Sequence, residues 1–289
     1  MLLQLIVSGL LLGGIYALLS LGLSLIFGVS KFTNFAHGDF VMVGMYMAFV
    51  SYGVFTLTPY FSWPLVMLGG VGFALMLYLV ARSTIEKSGL NQILVTLGLS
   101  MVLQNTVLLF FKSDYKSVPA TFGSSIKLGT VFISTEMLIA FVIAVVITGG
   151  FFFFIKYTDT GRALRAVSDD RAASKLMGLP VNMLDPIAFC LGIVLACLAG
   201  ALLMTVYPTT PTIGSGYNLI AWVTVVLGGL GYLQGALFSA LLIGICETVS
   251  GFYLGADLRQ AVYYVLFILV LVFRPQGLFA GLGMKKVKR

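Results

Sequence analysis

The sequence predicts an all-α, polytopic membrane helical bundle of about eight or nine segments with a glycine-rich helix break near residues 228–235, and three observations carry that prediction. The first is composition: 60% of the 289 residues are hydrophobic and 9% are charged, with a mean hydropathy of +1.07. Soluble domains average about 25% charged residues, so a water-soluble globule is excluded. The second is that the charges cluster, leaving charge-free runs over residues 1–30, 40–81, 88–111, 137–155 and 186–246. A charge near the centre of a membrane helix costs about 2.5–3.5 kcal/mol, so such runs mark the spans. The third is the glycine cluster itself, which divides the longest run.

Residues 1–30 lack the basic n-region and short apolar core of a cleaved signal peptide and read as a retained first span. Residues 40–81 are too many for one helix. Pro59 and Pro64 bracket Tyr60, Phe61, Ser62 and Trp63, an interfacial turn with aromatic anchors, which gives spans at 40–56 and 61–81. Residues 88–111 form the next span. The polar stretch 112–135, with Lys112, Asp114, Lys116, Pro119 and Lys127, reads as the longest loop of the first half, and 137–155 as the span after it. A second polar stretch, 156–185, holds five basic and four acidic residues. Spans follow at 186–206, within 219–252 and at 258–273.

Basic residues favour the cytoplasm. Placing the 156–185 loop and the basic C-terminal tail, 274–289, on that side puts residues 31–39 and 82–87 there as well, and 112–135 and the N-terminus outside. An even number of crossings must then separate loop and tail, so 219–252 has to turn within itself. The turn falls at Gly228, Gly229, Gly231 and Gly235. Glycine costs about 1 kcal/mol in a helix interior, and broken backbone at membrane depth is tolerated only inside protein or along a cavity, so a break here marks a translocation region. Close helix packing through small residues is the other reading. The run lacks the GxGxxG pattern and strand-to-helix context of a dinucleotide site. Residues 1–289 thus read as a single transmembrane domain.

An ionisable residue inside a span is a functional candidate because of its cost. Three places qualify: Asn34, His37 and Asp39; Glu136; and Glu247. His37 is the only histidine, which excludes a histidine metal site and a two-histidine relay. The cluster can cap the next helix, with Asp39 favoured by the helix dipole, or it can line a polar path. Glu247, inside a helix over 235–252, can pair with Arg259 or serve the pathway. Cys190, Cys197 and Cys246 lie in apolar stretches without metal-ligand spacing and read as core packers. No GxSxG, HExxH or P-loop occurs, so no catalytic residue, metal or cofactor is expected on this chain. The net charge of +7 speaks about orientation rather than a nucleic-acid partner.

Residues 158–180 predict a short cytoplasmic helix, capped by Asp159 or Thr160 and stopped by Gly178 and Pro180. Leu164, Val167, Arg171 and Ser174 share one face, while Arg162, Arg165, Asp169 and Asp170 place charges elsewhere. Such a helix is either a lever that docks on a partner or a solvated loop helix.

Four stretches, 34–40 (Asn-Phe-Ala-His-Gly-Asp-Phe), 161–180, 228–247 and 273–279 (Phe-Arg-Pro-Gln-Gly-Leu-Phe), resemble the permease subunits of ABC importers for branched-chain amino acids. Permeases for urea and short amides are similar in the same stretches and give the alternative substrate. The resemblance implies an integral protein of the bacterial cytoplasmic (inner) membrane working with a second related permease, two ATP-binding subunits that bind the ATP, and an external substrate-binding protein. It implies a coupling helix at 161–178, with Gly161, Arg162, Arg165, Asp169, Asp170, Arg171 and Gly178 toward the ATPase. Arg171 stands where other importers carry Glu in a Glu-Ala-Ala…Gly loop. The ionisable cluster and the glycine break read above mark the candidate translocation path: Asn34, His37, Asp39, Gly228, Gly229, Gly231 and Glu247. A self-sufficient secondary transporter or channel needs ion-coupling carboxylates in its spans, for which Glu247 and Glu136 are the candidates.

Overall fold

The computed structural model describes residues 1–279 apart from 86, 120, 124, 129–130, 256–257 and 275, and without the side chains of 128, 131 and 260. The basic residues of the tail, Lys285, Lys286, Lys288 and Arg289, lie outside the described residues. The charge-free runs become helices: α1 (Leu2–Ser30), α2 (His37–Phe55), α3 (Trp63–Ala81), α4 (Gly89–Phe111), α5 (Thr135–Tyr157), α8 (Val181–Leu203), α9 (Ile213–Gly228), α10 (Leu233–Tyr253) and α11 (Arg259–Phe273). Among the described residues, seven are long and apolar enough to cross a membrane, and two shorter apolar helices, α9 and α11, join them.

These helices are unequal. Burial covers 89% of the apolar window of α1 and 78% of that of α8, but 28%, 17% and 28% for α3, α4 and α5. A helix apolar all round belongs in the interior or against lipid, so α1 and α8 form the core and α3 to α5 the flank. Close approach is set by glycine. A Cβ on Gly22 of α1 would stand 2.3 Å from the Gly192 carbonyl of α8, and one on Gly192 2.6 Å from that of Gly22. Cys197 is buried in the same core, and all three cysteines are free thiols.

The connections sort to two ends. At one, Ser30 Oγ donates to Asp185 Oδ1 at 2.8 Å, Gln92 Nε2 donates to the carbonyls of Thr84, Ile85 and Lys87, and Leu278 N donates to Leu227 O at 2.7 Å. At the other, the Tyr60 hydroxyl donates to the Glu136 carboxylate, and Lys116 and Thr209 exchange backbone hydrogen bonds of 3.0 and 2.8 Å. Burial, then the bond to Glu136, pushes the Tyr60 hydroxyl up from its ordinary range. Glu136 therefore ties the loops of one end together. The loop expected at 112–135 carries a short antiparallel hairpin, β1 (Ser125–Leu128) and β2 (Val131–Ser134), pairing Ser125 with Ser134.

The single helix expected over 158–180 is two: α6 (Asp159–Asp169) and α7 (Arg171–Leu176). Asp170 is extended (φ −150°, ψ 104°) and its carboxylate accepts from Ala173 N at 2.9 Å. That is the local competition by which Asp breaks a helix and caps the next. Thr158, rather than Asp159 or Thr160, caps α6, accepting from Gly161 N at 3.0 Å. Gly178 ends the pair in the left-handed region (φ 82°).

Candidate translocation site

Lys31 caps α1 in the left-handed conformation (φ 52°), and the chain turns back beside that helix. His37, the first residue of α2, bonds through Nε2 to Leu19 O at 3.0 Å. Leu19 precedes the end of α1 by eleven residues, about 16 Å along the axis. α2 therefore begins deep among the helices, reached by a non-helical segment, 32–36, whose residues are buried or half-buried.

That backbone is satisfied by side chains. Thr33 N donates to Gln92 Oε1 at 2.9 Å, Phe35 N to Thr96 Oγ1 at 3.1 Å, and Ala36 N to Asn34 Oδ1 at 3.0 Å. Gly38 N points at Asn218 Oδ1 at 3.4 Å, and Trp222 Nε1 donates to Asn34 O at 3.3 Å while its ring stacks on Phe35, centroids 5.2 Å apart. Gln104 Nε2 donates to Asp39 Oδ1 at 2.9 Å and to Ser100 Oγ at 3.1 Å. Gln92, Thr96, Ser100 and Gln104 recur every four residues along α4, one polar stripe on an otherwise apolar helix. Leaving one such buried amide unpaired costs about 1–3 kcal/mol, which explains the stripe. A Cβ on Gly38 would stand 2.1 Å from Asn218 N and Gly214 O, so only glycine lets α2 meet α9 here.

The structure brings Asn34, His37 and Asp39 together, all fully buried. Asp39 lies in the first turn of α2, but its carboxylate accepts across helices from Gln104, and no side chain caps α2; the capping expectation gives way to a cross-helix bond. Asn34 Nδ2, His37 Nδ1 and Asp39 Oδ2 lack hydrogen-bond partners among the described residues. Gly228, Gly229 and Gly231 lie elsewhere. Both readings of that cluster hold, since Gly229 (φ 101°) and Gly231 (φ 82°) break the helix and Gly231 packs on Gly28. The turn is at an end of the bundle, however, and the break at depth is residues 32–36. Glu247 is also separate, 3.5 Å from Arg259 on the other side of α9.

Of the candidate coupling residues, Arg162, Arg165, Asp169, Asp170 and Gly178 are exposed on α6 and α7, and Gly161 is buried against Phe154 O. Arg171 turns inward. It grips Asp185 through two hydrogen bonds of 2.7 Å and donates to Val29 O at 2.9 Å, latching α7 to α1 and α8. Beside it Leu176 and Met177 are exposed. Sequence reasoning passed over Gln92, Thr96, Ser100, Gln104, Asn218, Trp222 and Asp185; the four-residue polar period of α4 was the available signal.

An all-helical membrane bundle whose chain breaks at depth, with polar side chains gathered on the break, has the architecture of a transport protein. The family model described as the permease component of branched-chain amino acid transport systems matches residues 5–271, and the chain belongs to that family. It is 32% identical over 301 residues to the high-affinity branched-chain amino acid transport system permease protein BraD of Pseudomonas aeruginosa, covering 99% of this chain and 98% of that one. It is 30% identical over 300 residues to the permease protein LivH of Escherichia coli, covering 99% and 97%, and 27% identical over 294 residues to a probable LivH of Methanocaldococcus jannaschii, covering 94% and 90%. No solved structure matches the chain.

Proposed function

We propose that this permease forms half of the translocation path of an ATP-driven importer for branched-chain amino acids in the bacterial cytoplasmic membrane. The observation that carries the proposal is the broken segment 32–36, which runs inward from the end of α1 and is held by side chains of α4 and α9 rather than by its own helix. A segment held this way exchanges one set of hydrogen bonds for another without unwinding a helix. A second, related permease completes the path, an external binding protein delivers the substrate, and two ATP-binding subunits hydrolyse ATP; this chain is a transport subunit and not an enzyme. The ATP-binding subunits dock on α6 and α7, where Leu176 and Met177 are exposed among charges. Their closure pulls α7, and Arg171 passes the pull through Asp185 and Val29 to the end of α1 from which residues 31–36 hang. The names of the relatives favour a branched-chain substrate. The amides of Asn34, Gln92, Gln104 and Asn218 also suit urea or a short amide, the second reading.

The test is uptake by the complete reconstituted importer. Labelled leucine enters and urea does not, and replacing residues 159–176 with a flexible linker abolishes ATP-driven uptake while membrane insertion persists. Undiminished uptake with the linker overturns the coupling role. Uptake of urea without leucine overturns the substrate.

A further inference from the structure

α9 has a second working face. Asn218 and Trp222 turn toward the broken segment, whereas Tyr217 turns into a separate cavity of about 240 Å³, ringed by Tyr16 of α1, Tyr207 after α8, Glu247 of α10, and Arg259 and Tyr263 of α11. Glu247 is 4% exposed. Its Oε1 faces an Arg259 terminal nitrogen at 3.5 Å, a contact that leaves both groups incompletely bonded. Glu247 Oε2 and Arg259 Nε are both buried and without hydrogen-bond partners among the described residues. The Arg259 side chain is 38% exposed, so the buried charge is that of Glu247; a buried carboxylate is repaid only where its remaining lone pair is also met, and beside a cation open to the cavity that favours a ligand carrying both signs.

An amino-acid zwitterion has that form. Laid antiparallel beside the ion pair, its ammonium meets Glu247 Oε2 and its carboxylate meets Arg259, closing a ring of four alternating charges with no net charge buried. The aliphatic side chain rests on Ile213 and Ile220, which also line the cavity. The cavity volume of about 240 Å³ is the room of roughly eight waters, and valine or leucine has about eight or nine non-hydrogen atoms. Urea can hydrogen-bond to either group but brings no charge to set against the carboxylate or the guanidinium.

We propose that this cavity is a binding site for the zwitterionic head of a branched-chain amino acid, contained within one permease subunit and separated by α9 from the 34–39 segment. The proposal rests on the branched-chain reading of the importer. It is tested on the complete complex, both permeases and both ATP-binding subunits, in nanodiscs without the binding protein, by equilibrium binding of labelled leucine. Leucine binds saturably and is displaced by valine and isoleucine. Isocaproate, lacking the ammonium, leucinamide, lacking the carboxylate, and urea do not displace it.

Glu247→Gln keeps the side-chain shape and weakens leucine binding by about tenfold or more, the worth of a hydrogen bond to a charged group. Gly216→Leu is the second variant. Gly216 lines the cavity and a Cβ there meets nothing within 4 Å, so the added side chain fills the cavity without displacing a neighbour. It abolishes leucine binding while the complex still assembles, as read by size exclusion. Unchanged binding in both variants, or displacement by isocaproate or leucinamide as effective as by valine, overturns the site. A wild-type complex that transports leucine yet binds none without its binding protein also overturns the site and leaves the transport reading standing. Uptake of urea without leucine removes the transport reading first.

Discussion

The two breaks in this bundle, residues 31–36 and 229–232, are stabilised by opposite means. The first runs back beside Leu19, and its amides are met by side chains from other helices: Gln92 and Thr96 of α4, with Asn218 of α9 on Gly38 just beyond. The second sits at an end of the bundle and is met by backbone, Tyr232 N on Gly229 O at 2.9 Å and Leu278 N on Leu227 O at 2.7 Å. Left-handed glycines complete it. Depth makes the difference. Where water is absent, a broken backbone needs polar side chains aimed at it; at an end, a permissive glycine is enough. The deep break is thus held by side chains of other helices, whereas the shallow one is a glycine turn closed by backbone.

Substitutions can break or sharpen that contrast, beginning with the largest effect. Gly38→Val drives a side chain into Asn218 N and Gly214 O, 2.1 Å from where its Cβ would be. Overpacking costs about 1–3 kcal/mol even where neighbours give way, and here the neighbours are backbone. The expected result is no assembled complex on size exclusion; assembly at wild-type yield contradicts the close approach. Arg171→Ala follows. It leaves the Asp185 carboxylate, 6% exposed, with Ser30 alone in place of the guanidinium, and breaking such a pair costs about 3–5 kcal/mol. Thermal stability falls, and the ATPase no longer responds to the loaded binding protein; an intact response removes Arg171 from the transmission route.

Gln92→Leu is smaller. It strips the acceptor from Thr33 N and a donor from three carbonyls, worth about 1–3 kcal/mol. Its melting temperature should fall, and uptake should fall further than the melting temperature alone explains if the segment is the moving part. Gly231→Ala is the smallest. The left-handed backbone (φ 82°) costs an alanine roughly 1–2 kcal/mol, its Cβ also stands 3.0 Å from Gly28 Cα, and because the turn lies away from the 32–36 segment, uptake in the folded fraction stays close to wild type. A larger transport defect at Gly231 than at Gln92 would reverse the contrast.

Much of the fold was legible because charge is excluded from spans. The runs 88–111 and 137–155 became α4 and α5 within two residues at either end, and the glycine break that parity demanded is present. The deep site was legible only in part. Asn34, His37 and Asp39 stood out as a polar cluster, but the residues that hold them are uncharged and diluted by leucine and valine on α4, so average hydropathy conceals them. The partners of His37, Asp39 and Asn34 on other helices lie 18, 65 and 188 positions away in the chain, and no local pattern reports such contacts. Arg171 misled for a related reason. The shared face expected for it with Leu164 and Val167 needs one continuous helix; Leu164 and Val167 are buried on α6, whereas Arg171 opens the separate helix α7, and its interior partner Asp185 lies on α8.

The central claim is that residues 31–36 belong to the path and move with the transport cycle. It is tested most directly by Thr33→Cys in a complete importer whose Cys190, Cys197 and Cys246 are replaced by serine, probed with a membrane-impermeant thiol reagent applied from either side. Thr33 is half-buried in the isolated permease. The account predicts that residue 33 is labelled in one nucleotide state and protected in the other, and that leucine delivered by the binding protein changes the labelled fraction. A residue 33 that is equally labelled, or equally silent, with and without ATP would contradict it.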